Sequence, residues 1–247
     1  MSSGERTRRV AATVLASALG AALLVIVGYY ATHRSHGPSK VILETKDEVY
    51  FTHSATKEDA EALGAALELT GFFNGRGATV QLSKGTSGTI ISFVLNPGGW
   101  DHPMTVLSFE EIARRCANSV GGFPVHVRLC DAAWGVRKEV IVGRVDAGGK
   151  DEIFYYGSAT DAEAAAVGRA LQQAGYLTGA GASVTLTKDN GAAIGFVLGN
   201  GAWDQPGTVT GFEALARRAA KTLGVAAIEL RLLSPQMEVE KDIPDVR

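Results

Sequence analysis

The sequence lacks the short patterns that mark the common enzyme classes. It contains no Gly-x-Ser-x-Gly element, no phosphate-binding loop and no cysteine–histidine arrangement. Its five histidines show no spacing that suits a metal ion. We therefore predict no catalytic residues, no cofactor and no metal site, and the sequence favours an enzyme less than a binding module or a ligand sensor.

Cysteine is scarce as well, with only Cys116 and Cys130 present. Cys116 continues a helical series that begins at Phe109, which directs it toward a core. By strand alternation, Cys130 points to the face of the sheet that lies away from this core. A disulfide needs Cα atoms within about 7 Å, and a sheet would lie between these two cysteines, so the pattern does not favour a bridge.

Positive charge is scarce outside the N-terminus. The net charge is −2, but residues 1–40 hold five of the 24 lysines and arginines and one of the 26 acidic residues, which leaves 19 basic against 25 acidic residues beyond them. Binding to nucleic acid needs a positive surface that faces the phosphates. The sequence therefore predicts no nucleic-acid partner.

Charge is absent altogether from residues 10–30, VAATVLASALGAALLVIVGYY. A helix of this length spans about 31 Å, enough to cross the hydrocarbon core of a bilayer. We predict a transmembrane helix there, with the lipid bilayer as a partner, over the alternative of a buried soluble helix. The bulky Tyr29 and Tyr30 at its end do not suit signal-peptide cleavage, which favours an uncleaved signal anchor.

Flanking charge predicts the orientation of this span. Three arginines precede it closely and two basic residues follow it more loosely. Residues 1–9 are therefore expected in the cytoplasm, and the soluble part outside the cell after a linker at 31–40, as in a single-pass plasma-membrane protein. A line of small residues, Ala12, Ala16 and Gly20, would suit a homodimer, although alanine-rich spans often show such lines.

An internal repeat organises the rest of the chain. DEVYFTHSATKEDAEALGAALELTGFFNGRGATVQLSK from Asp47 matches DEIFYYGSATDAEAAAVGRALQQAGYLTGAGASVTLTK from Asp151, and about 36 of 83 aligned positions are identical. Two copies indicate tandem domains, because a solenoid needs at least three repeats. We assign the first repeat to residues 41–143 and the second to residues 144–247.

Each repeat predicts the same elements in the order β-α-β-β-α-β. The first helix begins with a capping box at Thr56 or Thr160 and ends at Gly71 or Gly175. This order is the split pattern of ferredoxin-like folds. The predicted class is therefore α+β, with an N-terminal transmembrane helix followed by two tandem ferredoxin-like domains from an internal duplication.

Alternation along the strands predicts one face toward the helices and one away from them. The helix-facing residues are Val80, Leu82, Ile91, Phe93, Leu95, Val125, Val127 and Leu129, with Val184, Leu186, Ile194, Phe196, Leu198, Ile228, Leu230 and Leu232 in the second repeat. The other face contributes part of a candidate surface for a protein or peptide, namely Tyr50, Arg128, Phe154 and Arg231. The alternatives are that the two sheets pack against each other or that this face is simply exposed to solvent.

A repeated Trp-Asp-x-Pro, in GGWDHP and GAWDQP, falls between the third strand and the second helix. Asp101 and Asp204 suit helix N-caps, followed by a proline in the first turn, although a later start at Ser108 is the alternative. Trp100 and Trp203 then either cover the helix entrance or serve as exposed anchors for a partner, since tryptophan is enriched in interaction hot spots.

Two further patterns are interpreted as structural. Glu110 with Arg114, and Glu213 with Arg217, are spaced i,i+4 and predict ion pairs on a solvated helix face. The glycine-rich NGRG and TGAG segments follow a helix and precede a strand with no lysine after them, so we interpret them as turns.

The sequence therefore favours a single-pass membrane-anchored protein that exposes two duplicated α+β domains as a non-catalytic binding or assembly module. The alternative is a small-ligand sensor or accessory domain that uses the cleft between the repeats. Fold class alone does not decide between these two functions.

Overall fold

The computed structural model describes residues 39–43, 46–86, 88–189 and 191–247. The chain divides into two units, Met1–Ser39 and Lys40–Arg247. The predicted transmembrane segment 10–30, the basic segment 1–9 and most of the linker lie outside the described residues. Within the described ranges, no helix is both long and apolar enough to cross a bilayer.

The two halves of the second unit contain the same order of elements. After a short β1 (Ser39–Ile42), the first half comprises β2 (Glu48–His53), α1 (Lys57–Leu69), β3 (Thr79–Gly85), β4 (Gly88–Val94), α2 (Pro103–Cys116), β5 (Val125–Cys130) and β6 (Val136–Asp146). The second half comprises β7 (Glu152–Gly157), α3 (Asp161–Gln173), β8 (Ser183–Lys188), β9 (Ala192–Val197), α4 (Pro206–Leu223), β10 (Ile228–Leu233) and β11 (Val239–Val246).

All eleven strands form one mixed sheet, in which they lie in chain order. The two strands that each helix connects are parallel neighbours, whereas the hairpins are antiparallel. The halves are joined by the antiparallel pair β6–β7, in which Val142 lies opposite Tyr156 and Arg144 opposite Phe154. The fold is thus α+β, with one long sheet and four helices in the described part of the chain.

The strand order differs from the ferredoxin-like expectation. In a split β-α-β arrangement, another strand lies between the two strands that a helix joins, but here these strands pair directly. Alternation of apolar residues shows which side of a strand is buried, and it carries no information about which strand lies alongside. The boundary expected at 143/144 also falls inside β6, so both halves share one sheet.

Two hydrophobic cores lie on opposite faces of this sheet. In β7, Phe154 and Tyr156 belong to the core of the first half, whereas Ile153 and Tyr155 belong to the core of the second half. Because successive strand residues point to opposite faces, α1 and α2 cover one face and α3 and α4 cover the other.

The predicted core is confirmed. Of the sixteen helix-facing residues, all except Leu95 and Leu198 are at most 1% exposed, and those two are partly buried against the same cores. The capping boxes are also present, with Thr56 paired to Asp59 and Thr160 to Glu163. Helical and strand periodicity thus specified both cores correctly.

The Trp-Asp-x-Pro segments form a short 3₁₀ turn followed by α2 or α4. The N-caps are His102 and Gln205, one residue later than expected, and neither side chain makes a capping hydrogen bond. Pro103 and Pro206 occupy the first turn as predicted, where a missing N–H breaks no helical hydrogen bond. The aspartates lie inside the 3₁₀ turns, and so their carboxylates do not cap these helices.

Each glycine-rich segment wraps a buried aspartate. The Asp151 carboxylate accepts hydrogen bonds from the backbone N–H groups of Gly179, Gly181 and Ala182 at 2.6–2.8 Å. The Asp47 carboxylate accepts the equivalent bonds in the first half at 2.8–2.9 Å. The segments are therefore turns, as predicted, and their backbone donors serve an internal carboxylate.

Candidate functional site: a groove between the repeats

A groove lies where α2 of the first half crosses the strands of the second half. Two adjoining cavities of about 240 and 300 Å³ occupy it, and they share the lining residues Met104, Leu107, Thr187 and Arg231. The helix residues come from the first half and the strand residues from β8 and β10 of the second. We call these two cavities together the inter-repeat groove.

Glu110 is the most unusual residue of this groove. It lines the smaller cavity, is only 1% exposed, and its Oε1 has no hydrogen-bond partner among the described residues. Burial, and secondarily the nearby Asp189, raises the pKa of Glu110 to about 8, against the opposing effects of Lys138, Arg231 and the Gly157 N–H. The carboxyl group is therefore largely protonated at neutral pH.

The polar end of the groove has an excess of acidic groups. Arg231 Nε donates to Glu229 Oε1 at 2.5 Å, which balances the Arg231 charge locally. Asp101, Glu110 and Asp189 then share the cavity wall with one further cation, Lys138. Burial and the adjacent Glu229 also raise the pKa of Asp242 beside this pair, as expected where carboxyl groups crowd together.

Gly157 permits the close approach of the acidic groups. Its φ of +68° lies in the left-handed region, and a Cβ at this position would collide with the Asp189 carboxylate. Glycine is the residue that adopts this conformation at least cost. A side chain at position 157 would displace the Asp189 carboxylate that neighbours Glu110.

The larger cavity of the groove is mainly apolar. Leu233 and Met237 line it on the strand side, and Met104 and Leu107 line it on the helix side. Tyr156 also lines this cavity, and burial raises the pKa of its phenol above the ordinary value. The groove thus has a charged end and an apolar end in contact with each other.

The second half has no equivalent of this helix surface. The positions that match Met104 and Leu107 in α4 are Gly207 and Thr210. Glu213, which matches Glu110, is partly exposed and lies 4.0 Å from Arg217. The groove is therefore made once, by the first repeat's helix on the second repeat's sheet, and the matching positions in the other repeat offer internal controls.

The prediction of an ion pair between Glu110 and Arg114 was wrong. Arg114 pairs with Glu111 at 2.6 Å, and Glu110 turns toward the second half instead. A signal for this was present in the sequence, because Glu110 lies at helical spacing between Val106 and Ala113 in an otherwise apolar stripe. By contrast, the predicted spacing of Glu213 with Arg217 does give an ion pair.

The structure separates the six residues of the predicted interaction surface. Only Arg231 lines the groove. Phe154 is 4% exposed and packs in the core of the first half beneath Arg114, so it is not part of an exposed surface. Tyr50 and Arg128 lie on the sheet face that α1 and α2 leave open, where the Tyr50 ring is 6.4 Å from Trp134.

Both repeated tryptophans are partly buried against their own cores. Trp100 packs on the core of the first half, with the Arg137 guanidinium 5.8 Å from its ring. Trp203 packs on the core of the second half, and Lys241 Nζ donates to its carbonyl oxygen at 3.3 Å. These contacts support the interpretation that the indoles cover the helix entrances.

Cys116 and Cys130 are both buried free thiols. Burial raises the pKa of Cys116 to about 12, and thiols in such surroundings are chemically inert. Across the described residues, no group of three or more histidine, cysteine or acidic side chains is arranged to hold a metal ion. The groove therefore offers a ligand charged side chains at one end and apolar side chains at the other.

No protein family and no curated protein matches the sequence, and no solved structure matches the fold.

Proposed function

We propose that the chain is a non-catalytic binding protein, held to the plasma membrane by residues 10–30, whose small ligand occupies the inter-repeat groove. The observation that supports this most strongly is the buried Glu110 carboxyl, which has an unpartnered oxygen in a cavity wall built by both halves. A buried polar group without a partner costs about 1–3 kcal/mol of stability. Functional pockets commonly combine apolar walls with a few such convergent polar groups.

Duplication of one α+β unit accounts for the shape of the groove. The two repeats provide equivalent sheets and helices, and divergence at positions such as Leu107 and Thr210 gives only one of the helices an apolar outer surface. A second binding surface, for a protein or peptide, is favoured on the open face of the first half, where Trp134 remains 36% exposed beside Tyr50.

A matched pair of variants tests the use of the groove. Thr187 lines both cavities, and Ser83 is its counterpart on the open face of the first half. The full-length chain is extracted in native-membrane nanodiscs and denatured, and the released small molecules are identified by mass spectrometry. We expect wild type and Ser83→Trp to retain a compound that Thr187→Trp loses at least ten-fold, because an indole would fill the cavity.

Retention of that compound by Thr187→Trp, or no enrichment over nanodiscs without the protein, would contradict a role for the groove. If Ser83→Trp instead abolishes binding of a protein partner that Thr187→Trp keeps, the open face of the first half is the functional surface.

The membrane anchor has an independent test. We expect the full-length chain to stay in the membrane pellet after an alkaline carbonate wash, because a 21-residue apolar helix inserts stably in lipid. Deletion of residues 10–30 should release it. Protease added outside intact spheroplasts should digest the C-terminal unit if the predicted orientation holds. A wild-type chain that is released by carbonate would refute the anchor.

A further inference from the structure

The chemistry of the inter-repeat groove narrows the class of ligand. At its polar end, Glu229 already balances Arg231, at 2.5 Å. Asp101, Asp189 and Glu110 therefore share the cavity with a single uncompensated cation, Lys138. An added anion would be repelled by the Asp101 and Asp189 carboxylates. An added cation would be attracted to them and would favour the ionised form of Glu110.

The buried oxygen identifies where such a cation would bind. Oε1 of Glu110 has no hydrogen-bond partner among the described residues, and the Gly157 N–H lies close enough to lower the pKa of the carboxyl group. An ammonium group carries three hydrogen-bond donors and no acceptor. It would satisfy Oε1 directly and has further donors for the neighbouring Asp189.

A bare metal ion fits less well than an organic cation. The described residues contain no cluster of three metal-ligating side chains. The polar cavity also opens into an apolar one, between Met104, Leu107 and Leu233. A hydrocarbon chain attached to the cation would bury its surface there, at about 25 cal/mol for each Å² removed from water.

We propose that the inter-repeat groove binds a small organic ammonium compound, with the ammonium on Glu110 and Asp189 and its apolar chain between α2 and β10. This inference rests on the proposed function and specifies the ligand of the same site. It makes Glu110 a ligand-contacting residue, whereas Glu213 at the matching position of α4 has no such role.

Binding also has a proton balance. Glu110 is largely protonated at neutral pH, because burial raises its pKa to about 8. The ammonium ion enters with its charge, the Glu110 O–H bond breaks, and the released proton passes to solvent. Affinity should therefore rise with pH up to about 8. Calorimetry in buffers of different ionisation enthalpy should detect net proton release.

The test uses n-hexylammonium, hexanoate and hexan-1-ol as probes of equal chain length. Titration calorimetry is run on the full-length chain in nanodiscs, with empty nanodiscs as the blank. We expect n-hexylammonium to bind at least ten-fold more tightly than either other probe, the preference that a charge-assisted hydrogen bond gives. Glu110→Gln should lose this preference, and Glu213→Gln should keep it.

The outcomes separate the two proposals. If the three probes bind equally and Thr187→Trp abolishes all of them, the groove binds ligands but the ammonium inference is wrong. If Thr187→Trp leaves n-hexylammonium binding unchanged, the groove is not the site and the proposed function fails with the inference. Equal binding of n-hexylammonium to wild type and to Glu110→Gln, with folding verified by tryptophan fluorescence, would also overturn the inference.

Discussion

Raising the pH from 5 to 9 is expected to lower the free energy of unfolding by several kcal/mol through Glu110 alone. Its pKa is about 8 when folded and 4.5 ordinarily. Between these values, the folded state binds more protons than the unfolded state, so stability falls as pH rises through the window. A pKa that is displaced from 4.5 to about 8 corresponds to about 5 kcal/mol at most. The full amount is lost only when the pH has risen past both values.

Glu110→Gln isolates this effect from other titrating groups. The amide resembles the protonated carboxyl, so the variant should match wild type near pH 5 and exceed its stability near pH 9. Glu213→Gln should follow the wild-type profile within about 0.5 kcal/mol, as expected for a partly exposed residue whose ion pair is as long as 4.0 Å. Denaturant unfolding can be monitored by tryptophan fluorescence. The signal reports on the unit that contains Glu110, because all three tryptophans lie within Lys40–Arg247. Parallel profiles for wild type and Glu110→Gln would contradict the account.

Asp151→Ala is expected to destabilise the second half by about 3 kcal/mol. The substitution removes the acceptor for three backbone N–H groups, those of Gly179, Gly181 and Ala182, and leaves them partly unsatisfied. Asp151 itself is 2% exposed, so water replaces its carboxylate poorly. Asp204→Ala is the matched control with little expected effect, because Asp204 is exposed and does not cap α4.

The pH dependence of the Asp151 contribution has the opposite sign to that of Glu110. The N–H of Gly179, followed by those of Ala182 and Gly181, holds the pKa of this carboxyl below its ordinary value, against the effect of burial. Its stabilisation is therefore present above about pH 4 and is lost as pH falls. Denaturant unfolding of wild type and Asp151→Ala at pH 7 and pH 3 measures the difference in stability between them, which should be smaller at pH 3. An equal difference in stability at both values would refute it.

Local patterns in the sequence specified the cores and the helix starts. Val80 and Leu82 alternate as a half-buried strand requires, and both are fully buried. Thr56 with Asp59 forms the capping box that its spacing predicted. These features depend on residues a few positions apart, and that is the range over which periodicity and capping rules apply.

The groove depends on contacts that no local pattern specifies. The i,i+4 rule paired Glu110 with Arg114, but the sheet of the second half buries Glu110 and leaves Arg114 to Glu111. Phe154 was expected on an open face, but α2 covers it. Because α2 belongs to the other repeat, the strand pattern around Phe154 does not indicate this contact. Once β6 and β7 pair, the covered face of the second half is fixed by residues of α2, which lie far earlier in the chain.

Direct titration of the Glu110 carboxyl carbon by ¹³C nuclear magnetic resonance tests the central claim, that this buried group is an unfilled ligand contact. The signal is assigned by its loss in Glu110→Gln, and the partly exposed Glu213 serves as a reference in the same spectra. We predict a midpoint of about 8 for Glu110 in the free protein, which falls when n-hexylammonium saturates the groove. A midpoint near 4.5, or one that saturating n-hexylammonium leaves unchanged, would contradict the account.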